Sequence, residues 1–396
     1  MQLPEPVQTA ARILRGGGYE AYAVGGCVRD VLLGRTPHDW DMTTNALPAE
    51  TERLFAAYPV IETGIAHGTV MVVIDAMPIE ITTYRVDGAY SDHRHPDGVQ
   101  FTANLKADLA RRDFTINAMA YAPETGVVDP FGGQADLARQ TVRCVGDPAR
   151  RFDEDALRIL RALRFASVLG FAIDPDTAAQ VHAQAAALRA VAVERRYAEW
   201  QKLICGRGAA QVLREYPDVA AQVLPAGQTA AGWAARVDRM AQASPDFAGR
   251  MAILLRGSDA AQAMRDLRAS RANQLRVSML AGAPETLPPA TDADVRRGLA
   301  AYGADGWRDY LRMFPPSPRA ALEQTTQIVL NRGDCWRLDQ LAIDGRSLAA
   351  LGLRGSALGE TLRALCRSVI DGTLPNTPDA LRQAAKKRAE SQHLAP

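Results

Sequence analysis

The strand-forming signals of this chain lie almost entirely in its first 145 residues. Val, Ile and Thr cluster there in short runs, for example over Thr69–Ile74 and Ile79–Tyr84, which we predict to pair as a hairpin. From Asp147 onward the chain is rich in Ala, Leu and Arg, and apolar residues recur at helical spacing, as over Asp153–Leu169. The sequence therefore predicts an α+β protein, in which a small mixed sheet with helices precedes an all-helical remainder.

The composition is that of an ordinary folded protein and excludes several classes. Of 396 residues, 47% are hydrophobic and 23% are charged, which argues against disorder and against a coiled coil. No apolar run approaches the ~20 residues that a membrane helix needs. The N-terminal segment lacks the basic and apolar regions of a signal peptide. We therefore expect a cytoplasmic protein with no membrane partner.

Charge and cysteine usage narrow the range of partners and metals. The formal net charge is +1, so any contact with nucleic acid must come from local basic patches. Arg outnumbers Lys by 42 to 4, which points to a compositional bias and is poor evidence of phosphate binding by itself. The five cysteines are far apart and form no C-x-x-C pair, so neither a disulfide framework nor a zinc site is expected.

Two aspartates one residue apart, Asp39 and Asp41, are the first candidates for chemistry. Side chains at i and i+2 of a strand point to the same face, so we expect adjacent carboxylates with Trp40 on the opposite face. Like charges in a partly dry cleft repel each other, and a cation that prefers oxygen ligands, such as Mg²⁺, relieves the repulsion. A solvated strand edge is the competing interpretation. Glu80, on a strand predicted to pair nearby, is a candidate third carboxylate.

A glycine-rich turn precedes the two aspartates. Gly25 and Gly26 follow an apolar strand candidate and open a helix that carries Arg29, ten residues before Asp39. Glycines allow a phosphate to approach the backbone closely, and the N-terminus of a helix offers unpaired N–H groups. A guanidinium can donate two hydrogen bonds to a phosphate. We interpret the segment as a phosphate-binding turn, against the alternative of an ordinary surface turn.

The residues around these glycines and aspartates closely resemble the head domain of one family, the class II tRNA nucleotidyltransferases and bacterial poly(A) polymerases, over the stretch AVGGCVRDVLLGRTPHDWDMTTNALP. Three later segments resemble further motifs of this family in the same order: Arg111–Met119 (RRDFTINAM), Arg151–Arg158 (RFDEDALR) and Glu194–Glu199 (ERRYAE). The four segments lie within residues 20–200, about half of the chain. Beyond residue 215 the similarity is limited to helical character.

The resemblance implies a metal-dependent nucleotidyl transfer. Asp39 and Asp41 match the pair that holds two Mg²⁺ ions in the family; one ion activates the RNA 3′-hydroxyl and the other binds the triphosphate. Gly26 and Arg29 match the triphosphate contacts, and Arg112 matches a nucleotide contact.

Asp155 and Arg158 are the candidates for reading the base. Three residues apart on a predicted helix, they would share a face. A carboxylate accepts from the exocyclic amino group of C or A, whereas U and G present a carbonyl there. The resemblance implies that this pair serves as a protein template, and that Arg161 and Arg164 contact the nucleotide as well. A salt-bridged surface helix is the alternative.

Two segments favour complete CCA addition within this family. Thr63–Val70 resembles the GxxHGTV pattern of CCA-adding members, and the loop Asp87–Asp97 has the full length that members adding only CC lack. We therefore expect addition of C, C and A to the 3′ end of tRNA from CTP and ATP, with release of pyrophosphate. The alternatives are a poly(A) polymerase or terminal-A-adding enzyme of the same family and, in another class, a non-catalytic RNA-binding module.

The resemblance also implies a division into four domains. We predict a nucleotidyltransferase head over residues 1–145, a helical neck that reads the base over 146–215, a helical body over 216–290, and a helical tail that binds tRNA over 291–396.

Overall fold

All strands of the described residues lie in the first half of the chain. The computed structural model describes residues 1–64, 68–88, 99–229 and 231–393. The chain divides into two compact units, Met1–Ala231 and Gly232–Pro396, here called the N-terminal and the C-terminal unit. The strands are β1 (Ala21–Val24), β2 (Trp40–Thr44), β3 (Val60–Gly64), β4 (Thr69–Ile74), β5 (Met77–Thr83), β6 (Arg85–Asp87), β7 (Val99–Phe101), β8 (Ala120–Ala122), β9 (Gly126–Val128), β10 (Thr141–Val142) and β11 (Ala172–Ile173).

The main sheet is mixed and has β2 at its centre. Its seven strands follow the order β3-β4-β5-β2-β1-β8-β9. β2 pairs antiparallel with β1 and parallel with β5, and in the second pairing Asp41 lies opposite Glu80. β4 and β5 form the predicted hairpin, which turns at Asp75 and Ala76 with φ angles of 48° and 62°, as a two-residue hairpin turn requires. The aspartate motif therefore starts from the middle of the sheet.

Helices alternate with these strands along the first part of the chain, and the rest of the chain is almost entirely helical, which confirms the predicted fold class. The helices of the N-terminal unit are α1 (Glu5–Gly16), α2 (Gly26–Leu32), α3 (Pro48–Leu54), α4 (Leu105–Ala110), α5 (Gly133–Ala138), α6 (Pro148–Glu154), α7 (Leu157–Leu169), α8 (Pro175–Ala183), α9 (Val193–Ile204), α10 (Ala209–Glu215) and α11 (Pro217–Val223). Beyond residue 147, β11 is the one short strand of the described residues.

The central helix of the N-terminal unit is α7, which is buried on almost every side. It packs against α9, and Ser167 Oγ donates to the carbonyl of Leu203 at 2.6 Å. Gly206, just after α9, comes so close that a Cβ there would overlap Ser167 Oγ. A side chain at residue 206 would therefore push the end of α9 away from α7, beside the pocket described below.

The helix predicted over Asp153–Leu169 is interrupted, so that prediction is corrected. α6 ends at Glu154 and α7 begins at Leu157. Asp155, between them, has the extended angles φ −146° and ψ 103°. Its carboxylate Oδ1 accepts from the N–H of Leu157 at 3.0 Å, one of the N–H groups that a helix start leaves without an intrahelical partner. This local bond competes with a continuous helix and takes Asp155 out of it.

The C-terminal unit is helical throughout its described residues. Its helices are α12 (Trp233–Gln242), α13 (Phe247–Leu254), α14 (Ala260–Asp266), α15 (Arg271–Ala281), α16 (Asp292–Arg312), α17 (Pro316–Asn331), α18 (Gly345–Ala349), α19 (Gly355–Ile370) and α20 (Pro378–His393). Gly303 interrupts α16 with φ 70° and ψ 171°. On either side of this break the rings of Tyr302, Trp307 and Tyr310 stack on one another.

Two further observations concern the whole chain. In the described ranges, no helix combines the length and the apolar character that crossing a lipid bilayer demands. The five cysteines, all of them among the described residues, are in the thiol form, and four are buried: Cys27, Cys144, Cys335 and Cys366. Cys205, after α9, is only half-buried.

Candidate active site

One pocket of about 540 Å³ in the N-terminal unit brings together ten of the eleven predicted site residues. These ten are Gly25, Gly26, Arg29, Asp39, Asp41, Arg112, Asp155, Arg158, Arg161 and Arg164. Glu80 does not line it. Seven arginines and four aspartates lie in its wall, a formal charge of +3. The pocket is therefore suited to an anionic ligand, although its four aspartates make parts of its wall negatively charged.

The two aspartates of the motif differ in their surroundings. Asp41 lies on β2, whereas Asp39 lies just before the strand and is exposed; the buried Trp40 between them faces the core. Burial, the neighbouring charge of Glu80 and, more weakly, Asp39 raise the pKa of Asp41 to about 6, against the opposing effect of Arg112. The carboxylate charge is thus disfavoured here, mainly by burial and also by the neighbouring acids, and a bound cation would oppose both effects.

Glu80 influences the site from outside the pocket. It is the register partner of Asp41 on β5, as the predicted pairing requires, but its side chain is exposed. In the ranges that the structure describes, no three Asp, Glu, His or Cys side chains are grouped closely enough to hold one metal ion. Of the four aspartates in the pocket wall, Asp113 and Asp155 are paired with Arg161 and Arg195, which leaves Asp39 and Asp41 as the candidate metal ligands.

The glycine turn and Arg112 fit against each other. Gly25 has φ 82°, a conformation that L side chains rarely adopt, and a Cβ there would lie 2.8 Å from Arg112 Nη1. Arg29 donates through Nη1 to Asn117 Oδ1 at 2.7 Å and pairs with Asp30 at 2.8 Å. Gly25 is thus needed both for the turn and for the space that Arg112 occupies.

A buried carboxylate, Asp108, supports Arg112 from behind. It is fully buried and accepts from Thr43 Oγ1 at 3.2 Å, from Arg111 Nε at 2.9 Å and from the N–H of Arg85 at 3.3 Å. Its Oδ2 lies 3.7 Å from Arg112 Nη2. Burial lowers the pKa of Arg112, and the charge of Asp108 is the largest effect that opposes it. Nε of Arg112 is buried and has no hydrogen-bond partner among the described residues.

Asp155 and Arg158 both line the pocket, but they do not share a helix face as predicted. Asp155 lies in the break before α7 and pairs with Arg195 Nη2 at 3.2 Å. Arg158 is 9% exposed and donates through Nη1 to Glu154 Oε2 at 2.7 Å. It also donates to the carbonyls of Arg151 and Arg111. The carboxylate of Asp155 and the guanidinium of Arg158 therefore reach the same pocket from two separately fixed positions.

Arg161 and Arg164 are each paired with an acid from another segment. Arg161 donates to Asp113 Oδ2 through Nε at 2.8 Å and through Nη2 at 2.5 Å, and Arg164 Nε lies 2.9 Å from Glu199 Oε2. Although burial raises the pKa of Asp113, Arg161 outweighs it and holds that pKa at about 2. Phe165 lies under this group, with Arg164 Cζ 4.1 Å from its ring centre. Both arginines thus reach the pocket with their charge already partly compensated.

Four polar residues of the pocket wall were not among the predicted site residues: Arg111, Asp113, Asn117 and Arg195. Arg111, Asp113 and Asn117 belong to the RRDFTINAM segment, and Arg195 belongs to the ERRYAE segment. Their place in these two motifs was the signal that could have identified them. The loop predicted to set specificity lies outside the described residues from residue 89 to 97, as does His67.

The N-terminal unit matches two family models. Residues 21–143 match the model described as the Poly A polymerase head domain. Residues 170–218 match the model described as the probable RNA and SrmB-binding site of polymerase A. The first match covers the glycine turn, the aspartates and Arg112, and the second covers Arg195.

Similarity to known proteins extends over almost the whole chain. The CCA-adding enzyme of Limosilactobacillus fermentum is 35% identical over 387 residues, 96% of each chain. That of Leuconostoc mesenteroides is 35% identical over 404 residues, 99% of each chain. The crystal structure of the Bacillus stearothermophilus CCA-adding enzyme in complex with CTP superimposes with a TM-score of 0.81 at 29% identity, over 99% of both chains.

Nucleotidyltransferases of this family generally use divalent metal ions. The arrangement of a glycine turn, paired aspartates and Arg112 in one cationic pocket agrees with the match to the head domain. Because the full-length similarity is to CCA-adding enzymes, the chain belongs to the class II CCA-adding tRNA nucleotidyltransferase family.

Proposed function

We propose that this protein adds C, C and A to the 3′ end of tRNA, using CTP and ATP and releasing pyrophosphate. The observation that carries the proposal is the single cationic pocket in which Asp39 and Asp41 face Arg112, Asp155 and Arg158. The RNA 3′-hydroxyl attacks the α-phosphorus of the nucleotide. The bond from that phosphorus to the oxygen that bridges the α- and β-phosphates breaks, and pyrophosphate leaves. The cytoplasm stays the predicted location.

Two Mg²⁺ ions are the proposed cofactor, held by Asp39 and Asp41. The donor set fits: hard carboxylate oxygens stand side by side, and the pKa of Asp41 is raised to about 6 mainly by burial and by Glu80, so that a cation stabilises its charged form. The bound metal supplies activation of the attacking hydroxyl and neutralisation of the triphosphate. Because no group of three Asp, Glu, His or Cys side chains that could hold a metal ion is found among the described residues, water and substrate would provide the remaining ligands.

The arginines and glycines of the pocket hold the nucleotide. Gly25 and Gly26 leave space for phosphate oxygens, and Arg29 and Arg112 face the negative charge that develops on the leaving pyrophosphate. The Nε of Arg112, buried without a partner in the described residues, is a donor that a bound phosphate or ribose oxygen satisfies. Arg161 and Arg164 border the same nucleotide from α7.

Asp155 and Arg158 read the base. The carboxylate accepts from the amino group of C or A, and the guanidinium donates to the neighbouring ring nitrogen. A carboxylate opposite the O4 of U leaves two acceptors facing each other, which costs roughly 1–3 kcal/mol and corresponds to about a tenfold to hundredfold preference. Arg195, which pairs with Asp155, fixes the direction of that carboxylate. Residues 146–215 form the proposed neck that carries this pair, and residues 216–290 and 291–396 the proposed body and tail.

The test of the overall activity uses tRNA that ends at its discriminator base. The purified protein is incubated with CTP, ATP, UTP and GTP singly and in combination, and product lengths are measured. We expect two residues from CTP alone and three from CTP with ATP. A second substrate, tRNA ending in CC, is tested in the same way. A single A added to this second substrate, with no C added to the first, would identify a terminal-A-adding enzyme. Long A tracts would identify a poly(A) polymerase, and no addition to either substrate would favour an RNA-binding module.

The test of base reading compares Asp155→Ala with Asp153→Ala. Asp153 is an exposed aspartate that does not line the pocket, so its variant controls for the loss of one charge. With each of the four triphosphates at equal concentration, Asp155→Ala should lower C and A addition and raise U and G relative to them. An unchanged ratio of C to U would show that this carboxylate does not read the base.

A further inference from the structure

A second cleft of about 640 Å³ adjoins the active-site pocket. The two share Arg29, Arg164 and Phe165, so they are continuous along the side of α7. The far side of the second cleft carries three cations that take no part in the site described above: Arg35, Lys202 and Arg207. Arg35 lies in the loop between α2 and β2, and the other two lie at and just after the end of α9.

These three cations keep their charge uncompensated. Among the described residues, neither Arg35 nor Lys202 has an acidic partner, and both side chains are exposed. Arg207 is exposed too, and it donates to the carbonyl of Leu169 at the end of α7 rather than to a carboxylate. The single acid in the wall of this cleft, Asp30, already pairs with Arg29. In a chain with a net charge of only +1, this is a concentrated positive site.

The apolar residues of the cleft indicate which kind of anion would bind to these cations. Val168, which is 39% exposed, lines the cleft together with the cations, and the buried Leu169 lies beside it. Cations spaced along one wall beside exposed apolar surface suit a single RNA strand, with its phosphates on the cations and its sugars and bases against the apolar side chains. Four residues of chain span at most about 14 Å, so the backbone of Arg35 lies within that distance of the backbone of Asp39. That is within reach of the last few nucleotides of a strand ending in the active site.

We propose that this cleft holds the last phosphodiesters of the RNA acceptor strand, with Arg35, Lys202 and Arg207 as phosphate contacts. The proposal rests on the proposed function: the active-site pocket takes the triphosphate on Gly26, Arg29 and Arg112, so the second reactant enters from an adjoining face. The cleft adjoins the pocket that contains the two aspartates through the shared residues Arg29, Arg164 and Phe165. The enzyme therefore grips the strand next to the hydroxyl that reacts, independently of any grip elsewhere on the tRNA.

The test is binding of RNA to the triple variant Arg35→Gln/Lys202→Gln/Arg207→Gln of the full chain. Two ligands are used, tRNA lacking its CCA end and a minihelix containing only the acceptor stem with the same 3′ end, and Kd is measured between 50 and 200 mM salt. Each single-strand phosphate contact contributes about 0.7 to the slope of log Kd against log salt, so three lost contacts lower it by about 2. We expect the Kd of both ligands to rise roughly tenfold to a hundredfold at 50 mM salt, because contacts between cationic side chains and phosphates supply most of the salt-dependent affinity. The KM for CTP should stay within twofold of wild type.

Arg12→Gln controls for the loss of a surface cation. It removes one positive charge, against three in the triple variant, from α1, which does not line the cleft, and it breaks only an exposed 3.4 Å pair with Glu5. It should leave Kd and slope unchanged. Because Arg207 binds the carbonyl at the end of α7, its loss affects folding as well; Arg35→Gln/Lys202→Glu, which leaves Arg207 in place, must therefore show the same direction of effect.

Three results would overturn the assignment. Unchanged Kd and slope would show that the cleft carries no RNA. A rise in the KM for CTP in step with Kd would show that the cleft holds the triphosphate or pyrophosphate instead. Loss of tRNA binding with unchanged minihelix binding would place the contacts away from the 3′ end. Binding is measured without catalysis, so failure of nucleotide addition by the wild type would count against the proposed function alone.

Discussion

At the scale of single residues, Asp41 is the side chain most affected by its place in the fold. Without metal, burial and the charge of Glu80 raise its pKa from 3.8 to about 6. A raised folded-state pKa means that the fold favours the neutral carboxyl; this stabilisation is complete below about pH 4 and is lost as the pH rises through about 6. Two pKa units correspond to about 3 kcal/mol, and partial contact with solvent reduces the expected effect to about 1 kcal/mol.

The first prediction uses Asp41→Asn, which stays neutral at every pH. In a chelating buffer, its Tm should exceed that of the wild type at pH 7.5, by the few degrees that about 1 kcal/mol produces, and should equal it near pH 4. Adding Mg²⁺ at pH 7.5 should raise the Tm of the wild type and leave that of the variant unchanged. A variant that melts below the wild type in chelator at pH 7.5 would contradict the assigned repulsion.

The second prediction separates the two carboxylates proposed to bind metal from Glu80, which lies outside the pocket. Asp39→Ala and Asp41→Ala should each lower addition of C and of A at least a hundredfold and equally, since stabilisation of the leaving group is common to all nucleotides. Glu80→Gln should cost less than tenfold, because Glu80 lies outside the pocket. Single-turnover rates with CTP and with ATP measure the addition of C and of A in each variant. The Kd for tRNA should stay within about twofold of wild type in all three variants. A Glu80 effect as large as that of Asp39 would show that Glu80 joins the metal site.

Local spacing predicted which residues would meet, but not how they are held. The glycine turn, the aspartate pair and Arg112 were found from their motifs, because a strand–turn–helix unit has few conformations. The pairing of Arg161 with Asp113 and of Arg164 with Glu199 joins segments about 35 to 50 residues apart, and i, i+3 spacing carries no information about such partners. Asn117 was missed for the same reason, since its contact with Arg29 spans 88 residues.

At the scale of elements, Asp108 connects the nucleotide pocket to the β6–β7 hairpin, from which the 89–98 segment extends. On one side it binds Arg111 and approaches Arg112; on the other it accepts from the N–H of Arg85 in β6. The buried carboxylate therefore ties the base of that segment to a residue proposed to contact the nucleotide.

The third prediction concerns Asp108→Asn. Loss of the buried charge should raise the KM for CTP and ATP roughly tenfold, because Arg112 loses the carboxylate that opposes the effect of its burial. Asp136→Asn is the control, since Asp136 is equally buried and binds Arg139 and Arg143 away from the pocket. Both variants should be less stable, but only Asp108→Asn should raise KM. Equal KM values in the two variants would reduce Asp108 to a structural role.

The fourth prediction concerns the loop predicted to change the pocket from accepting C to accepting A. Its described base is the antiparallel β6–β7 pair, with Asp87 opposite Val99. Deleting residues 88–95 shortens the loop, and CC addition should persist while addition of the terminal A falls at least tenfold. Product lengths with CTP and ATP together give the result. A deletion variant that still completes CCA would show that the loop has no such role.

The ends of helices and strands were predictable where the local sequence pattern changes at the boundary. The β4–β5 hairpin was predictable because alternating β-branched residues flank a short polar turn. The break at Asp155 was not, because the apolar spacing of Leu157 and Leu160 continues smoothly across residues 153–169. A single carboxylate that accepts from a backbone N–H ended one helix and started the next.

At the scale of the whole molecule, the limits of the N-terminal unit bear on how the chain can be divided. α11, which follows the predicted neck, packs on α9, and Arg196 Nη1 donates to the carbonyl of Gln222 at 2.6 Å. A cut near residue 215 would remove this helix together with its buried Val219 and Ala220, and would expose the surface of α9 that it covers. The contacts of the chain place the division after Ala231 instead.

The fifth prediction is that residues 1–231 fold by themselves, bind CTP and ATP, and bind tRNA at least tenfold more weakly than the full chain. The nucleotide pocket lies entirely within this part. The truncation removes the proposed body and tail, which would otherwise contact most of the tRNA. Isothermal titration with CTP and filter binding with tRNA measure the two affinities. A truncated protein that holds tRNA as tightly as the full chain would refute the proposed role of residues 232–396.

Fold class was predictable over the full length, and chemistry only over half of it. The loss of strand signals after residue 147 reflects backbone preference and does not depend on function. In the C-terminal unit the sequence shows helices but no motif, and the RNA-binding surface proposed there would need only dispersed cations. Those cations are hidden in a chain whose Arg content is high everywhere.

The cysteines give this protein a practical property for spectroscopy. Burial raises the pKa of Cys27 and Cys366 to about 11 and that of Cys144 to about 12, and Cys335 is buried as well, so these thiols are protected from maleimides. Cys205 is the accessible one, and it lies in the wall of the cleft beside Lys202 and Arg207. Under mild labelling, a fluorophore is therefore expected to attach at this one position without mutagenesis, where its emission would report the proposed entry of the RNA 3′ strand in real time.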